Sequence, residues 1–244
     1  MLSDRQISSG LSQAVRHFWV TRNGQSQKQK ESGRSDQGAR SAVTGGKQMD
    51  GFVELVKSLV TKSGLPSKCI FTQQKLEIPG YFRPEKKWDL LIVNEGILIA
   101  AIEFKSQIGP SFGNNFNNRS EEAIGTAQDL WTAFREGVFL KTSRPWLGYL
   151  MMLEDCVGST TPVSVKEPHF RVFPEFVGAS YAQRYRHFLT RLSRERLYDA
   201  TCLLMSSSAS GEKGKYSSPN IELGFHRFAA ALHGHIVVHV NSGL

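Results

Sequence analysis

The 244 residues include 40% hydrophobic and 21% charged side chains, with 30 lysines and arginines against 22 acids and a formal charge of +8. This balance excludes an intrinsically disordered chain, and the longest apolar runs are too short to span a bilayer. The basic excess favours a polyanionic partner without proving one. Cys69, Cys156 and Cys202 are widely spaced and odd in number. That argues against a disulfide framework or a thiolate zinc site and fits a reducing cytosol. The first twenty residues show no secretory signal, so the expected location is cytoplasmic. A chain of this length buries one substantial core, and 1–244 reads as a single domain.

Ile7, Leu11, Val15 and Phe18 recur at helical spacing and predict a helix over 5–20. Residues 22–48, rich in Gly, Ser, Gln, Lys and Arg, read as a long loop. Its Arg34, Arg40 and Lys47, set among glycines, suit an embrace of a nucleic-acid backbone. The GxxxxGK[ST] spacing of a nucleotide-binding loop is missing. A second helix is predicted over 50–62, with Asp50 or its neighbour as cap and Phe52, Val56, Leu59 and Val60 as its apolar face.

A strand near 68–77 comes next, then a hairpin of 88–93 and 97–105 turned by Asn94-Glu95-Gly96. Residues 106–119, SQIGPSFGNNFNNR, read as irregular. Helix 120–137 is expected to turn Ile124, Ala127, Trp131 and Phe134 inward. Strand 146–153 then returns parallel to the hairpin's second strand. Residues 88–153 form the expected catalytic core. A helix over 179–196 carries Arg184, Arg186, Arg191, Arg194 and Arg196, which suit either a solvated face or phosphate contact. Strand 198–205, a flexible connection at 206–219, helix 222–233 and strand 235–240 complete the reading. His226, His233, His235 and His239 show no ligand spacing, which favours packing or surface roles. The fold class is α/β, a mixed sheet flanked by helices.

The chemistry concentrates at the hairpin. Strand alternation sends Glu103 and Lys105 to the same face as Ile99 and Ala101. Carboxylates in such apolar runs are costly unless their charge is offset. A divalent cation does that, and Asp-x13-Glu-x-Lys is how a Mg-dependent nuclease of the PD-(D/E)xK type presents its groups. Asp89 and Glu103 are the candidate Mg²⁺ ligands, with the backbone carbonyl of Phe104 as a third. Lys105 is the candidate to orient or deprotonate the attacking water. Glu54, on the second helix, is a weaker metal candidate, because a solvated surface acid fits it better. Asn114, Asn115, Asn117, Asn118 and Arg119 follow directly and are candidate base readers, since Asn pairs bidentately with adenine and Arg with guanine. Asx turns that satisfy their own backbone are the other account of the asparagines.

Several stretches resemble the XhoI family of type II restriction endonucleases: GARSAVTGGKQMDGF (38–52), Pro79-Gly80-Tyr81-Phe82-Arg83-Pro84 with Trp88-Asp89, GPSFGNNFNNRSEEAIGTAQDL (109–130), and Pro168-His169-Phe170 with Val172-Phe173-Pro174. The likeness covers roughly 38–188. It implies a PD-(D/E)xK restriction-endonuclease-like core, Mg²⁺, double-stranded DNA as substrate, and a homodimer. It implies cleavage of CTCGAG after the first C to leave four-base five-prime overhangs, and a companion DNA methyltransferase in a bacterial host. Asp89, Glu103 and Lys105 match the family's catalytic positions. Trp88 stands where the superfamily name has proline. Two other readings compete: a nuclease of repair or recombination that cuts by DNA structure, and a DNA-binding protein without catalysis.

Overall fold

The computed structural model describes residues 2–31, 47–139 and 143–242, with the backbone alone at 26–31. Arg34 and Arg40 lie outside the described residues. Five longer helices are labelled α1 (Asp4–Glu31), α2 (Asp50–Lys62), α3 (Phe112–Arg135), α4 (Tyr181–Arg194) and α5 (Phe225–Asn241). Strands are β1 (Ile70–Phe71), β2 (Glu77–Ile78), β3 (Lys86–Lys87), β4 (Leu90–Asn94), β5 (Ile97–Gln107), β6 (Trp146–Glu154) and β7 (Ala200–Ser206).

The main sheet runs β1-β4-β5-β6-β7, and β2 pairs with β3 in a separate small ladder. β4 is antiparallel to β5, while β5–β6 and β6–β7 are parallel. The sheet is therefore mixed, as expected. Helices cover both faces. Ile7, Phe18, Phe52, Val56, Phe228 and Ile236 of α1, α2 and α5 pack with Ala100, Ile102, Leu150 and Cys202. Phe116, Ala127, Trp131, Tyr185 and Leu189 of α3 and α4 pack with Ala101, Leu147, Tyr149 and Leu203. Burial on both faces explains why β6 reads WLGYLMML without polar alternation.

The β4–β5 turn places Glu95 and Gly96 at φ 51° and 81°, the paired positive values of a tight hairpin turn. The register slips between Ile92 and Val93. Ile99 consequently packs with the α1/α2/α5 core, while Ala101 stays with the α3/α4 core. The expected common face for Ile99 and Glu103 is corrected by this bulge. Glu103 keeps its alternation with Ala101.

Other expectations are also revised. α1 continues to Glu31, through part of the predicted 22–48 loop. Asn23 donates to Ser208 Oγ at 2.9 Å, and Trp19 Nε1 donates to Ser206 Oγ at 3.1 Å. Asp50 is the first residue of α2, and Met49 at the cap position makes no side-chain cap bond. The strand expected near 68–77 is reduced to β1, because a bend at 72–75 diverts the chain into β2.

Residues 112–119 are helical, not irregular: α3 begins at Phe112. Phe112 stacks on Tyr181, and Phe116 meets Tyr185 edge-on at 5.0 Å. Their i, i+4 burial overrides the poor helix propensity of glycine and asparagine. Ile124 is 47% exposed, not inward, whereas Ala127 and Trp131 are buried. The 206–219 segment is anchored rather than loose. Met205 and Ser217 exchange backbone bonds of 2.8 Å, and a Cβ on Gly211 would lie 1.9 Å from Trp19 Cδ1. Finally, 235–240 belongs to α5, not a strand, since Phe225, Phe228, Leu232, Ile236 and His239 form one buried helical stripe.

Candidate active site

Trp88 is buried, and Asp89 sits immediately before β4. Leu90 pairs with Ile102 across the hairpin, which brings Asp89 beside the Glu103–Lys105 stretch of β5. Phe104 N–H donates to Asp89 Oδ2 at 2.8 Å. Lys105 Nζ lies 2.5 Å from Glu103 Oε2 and 3.7 Å from Asp89 Oδ2. The three residues singled out in the sequence are thus brought together.

Two groups not anticipated complete the cluster. Lys86 of β3 pairs with Glu103 Oε1 and lies 4.9 Å over the Trp88 ring. Glu122 of α3 lies 3.5 Å from Lys105 and 2.7 Å from Arg119. Glu103 is only 2% exposed, with Lys86 at 12% and Lys105 at 15%. Neither newcomer has a sequence signal of its own. Lys86 is one of two adjacent lysines, and Glu122 one of two adjacent glutamates.

The electrostatics follow from this packing. Burial raises the Asp89 pKa above the usual carboxylate range, and the nearby Glu103 adds to the rise. Lys105, the Phe104 N–H and Lys86 pull the other way. Burial alone would lower the Lys105 pKa, but Glu103, Asp89 and Glu122 together hold it above normal. Burial would likewise raise Glu122, yet Lys105 and Arg119 keep it below the usual range.

On the open side, a cleft is lined by Asp50, Glu54, Gln73, Lys87, Asp89 and Phe104, among others. α2 therefore presents Asp50 and Glu54, one turn apart, to the same cleft as Asp89. Glu54 is largely exposed and pairs with Lys57 at 2.7 Å. Among the described residues, no group of three or more His, Cys, Asp or Glu is gathered as a metal cage. Mg²⁺ sites commonly use only one or two carboxylates, with waters and substrate phosphates completing the shell.

The asparagine-rich segment is redistributed by its helical form. Asn114, Asn117 and Asn118, at i, i+3 and i+4, are exposed along one side of α3. Asn115 is half-buried, beside a cavity it lines with Arg22, Gln48 and Arg119. Asn118 and Arg119 lie two turns inside the helix rather than just ahead of a start at 120. Arg119 turns toward Glu122.

Lys47 is exposed ahead of α2, and its carbonyl pairs with His17 Nε2 at 2.9 Å. Arg184 stacks over Tyr181 and donates to the carbonyls of Ala179 and Val163, whereas Arg186 is exposed. His226, His233 and His235 pair with Ser8 Oγ, Ser63 Oγ and the Ile99 carbonyl. His239 is buried.

The family model for restriction endonuclease XhoI matches residues 28–218. The chain belongs to the XhoI restriction endonuclease family. Type II restriction enzyme BstVI of Geobacillus stearothermophilus is 51% identical over 212 residues, 85% of this chain and 95% of that protein. Type II restriction enzyme XhoI of Xanthomonas vasicola is 47% identical over 191 residues, 78% of this chain and 75% of that protein. AbrI of Azospirillum brasilense, also a type II restriction enzyme, is 52% identical over 160 residues, 65% and 72% of the two chains. No solved structure matches. As an XhoI-family member the chain is a site-specific deoxyribonuclease acting on double-stranded DNA, and enzymes of this type generally need a divalent metal. The mixed α/β sheet agrees with the restriction-endonuclease-like core that the family implies. Among the described residues, no helix is long and apolar enough to cross a membrane.

Proposed function

We propose that this XhoI-family member is a Mg²⁺-dependent enzyme that cuts both strands of CTCGAG after the first C, leaving four-base five-prime overhangs. The observation that carries the chemistry is the meeting of Asp89, Glu103 and Lys105, with Asp89 lining an open cleft. The donors suit a hard cation: two carboxylates and the intervening Phe104 carbonyl, all oxygen. Asp89, Glu103 and that carbonyl would hold Mg²⁺, with Glu54 and Asp50 facing it from α2. The bound ion supplies an acidified water and Lewis-acid stabilisation of the phosphate.

The chain's own groups do the rest. Lys105 stays charged between its three acids, which favours orienting the water and countering developing negative charge over abstracting a proton. Glu122 and Arg119 hold Lys105 from the α3 side. The exposed Asn114, Asn117 and Asn118 stripe is the base-reading surface, and the exposed Lys47 and Arg186 are the phosphate contacts. Two copies related by a twofold would each read one half of the palindrome and cut one strand. A companion methyltransferase would protect host sites, and the setting is the bacterial cytoplasm.

The test is digestion of a plasmid carrying one CTCGAG site in Mg²⁺, followed by sequencing of the ends. Linear product with TCGA overhangs is expected, and chelation should abolish it. Cleavage that ignores sequence or follows DNA structure would overturn the reading. Cleavage at another palindrome would correct the site alone.

Replacing Asn114, Asn117 or Asn118 with alanine is expected to reduce discrimination against one-base-changed sites by about 1–3 kcal/mol each. Single-turnover rates on cognate and altered duplexes measure this. A uniform loss on all DNA would mean that the stripe meets the backbone instead. Arg119→Ala is expected to behave differently. It should slow cleavage of cognate and altered sites by a similar factor, because its partner is Glu122 rather than a base.

A further inference from the structure

The charges that touch one another around Glu103 sum to zero. Asp89, Glu103 and Glu122 supply three negatives, and Lys86, Lys105 and Arg119 supply three positives. A doubly charged cation therefore meets a site whose carboxylates already have partners. Both oxygens of Glu103 are held, one by each lysine. Lys105 belongs to the reaction on the reading above, but Lys86 has no part in it. It arrives from a different element, β3.

Lys86 is also held firmly. Its strand pairs with β2, Ile78 opposite Lys86 and Glu77 opposite Lys87. The loop between those strands is pinned to α3 by the buried Asp129. Asp129 accepts from the Tyr81 and Phe82 N–H groups and from Arg83 Nε, each at 2.7 Å. The Lys86 ammonium also donates to the Lys87 carbonyl at 2.9 Å and rests over Trp88. A lysine so fixed acts as a built-in counter-ion rather than a mobile surface charge.

We propose that Lys86 is a positioning residue that occupies Glu103 as an internal counter-ion and keeps divalent-cation affinity low until a DNA phosphate enters. It rests on the reading of Asp89 and Glu103 as metal ligands. The phosphate brings the negative charge that the balanced cluster lacks, so cation and DNA load together. Removing the Lys86 charge leaves the cluster one negative in excess, and a cation is then attracted without DNA.

The test uses Mn²⁺ alone, titrated by calorimetry into the full-length protein without DNA. Lys86→Met keeps the apolar stem over Trp88 and removes the charge. It should bind Mn²⁺ on the order of tenfold more tightly than the parent. Lys86→Arg keeps the charge and should stay within about twofold of the parent. Should the methionine variant not fold, Lys86→Gln serves in its place. Unchanged or weaker Mn²⁺ binding in the uncharged variant would overturn the counter-ion role, as would equal tightening in the arginine variant.

A second arm separates this from the metal-site reading. Asp89→Asn added to Lys86→Met should abolish the gained Mn²⁺ affinity. If affinity rises with Lys86→Met and survives Asp89→Asn, the ion is not held by Asp89 and both the ligand assignment and the proposal fall. If Asp89→Asn removes Mn²⁺ binding while Lys86→Met changes nothing, only the counter-ion role fails.

Discussion

Lys105→Ala is expected to abolish cleavage, by about a thousandfold or more in single-turnover rate, while specific DNA binding in Ca²⁺ survives. The reason lies in what surrounds the ammonium. It touches Asp89, Glu103 and Glu122 together, so on the proposed reading it is the cation in contact with both metal-binding carboxylates. Its removal does not alter the exposed face of α3 where the candidate base readers lie. Loss of cutting without loss of binding therefore separates the chemistry from recognition. Normal cleavage by Lys105→Ala would remove this residue from the reaction. Loss of cognate binding in Ca²⁺ would make its role architectural.

Glu103→Leu is expected to lower folding stability by about 3–5 kcal/mol, besides ending activity. The carboxylate is almost fully enclosed and faces two ammonium groups that are themselves mostly covered. Taking it away leaves those cations without their counter-charge in a poorly solvated place. The urea unfolding midpoint measures the loss. Adding Lys86→Met to Glu103→Leu should recover part of it, because one stranded charge is then gone and the two sites are in contact. An unshifted midpoint in Glu103→Leu would mean that water reaches the lysines and that the cluster is not under charge stress.

The residues that spoke clearly in the sequence are those whose neighbours in space are also neighbours in the chain. The β4–β5 hairpin was legible because apolar runs flank a turn of Asn94, Glu95 and Gly96. With it came Asp89, Glu103 and Lys105, since one hairpin register brings all three together. α2 and β6 were legible for similar reasons of period and length. The asparagine run reads as irregular because its helical state depends on Phe112 and Phe116 meeting Tyr181 and Tyr185, about seventy residues later. The β-branched residues near the C-terminus suggested a strand, but Ile236 and His239 extend the stripe that α5 buries. Lys86 carries no such signal because it reaches Glu103 through a small separate ladder that no periodicity announces.

The rims of the main sheet bear on how two copies can meet. At one end β1 is only two residues long. At the other, the chain's own Ser217 exchanges both main-chain bonds with Met205, and Ser218 Oγ donates to the Leu203 carbonyl at 3.0 Å. A second molecule cannot zip onto β7 there without first peeling this flap away, and β1 offers too few rungs to hold one. Two copies joined across DNA would therefore dock through helices and loops, not through one sheet continued from molecule to molecule.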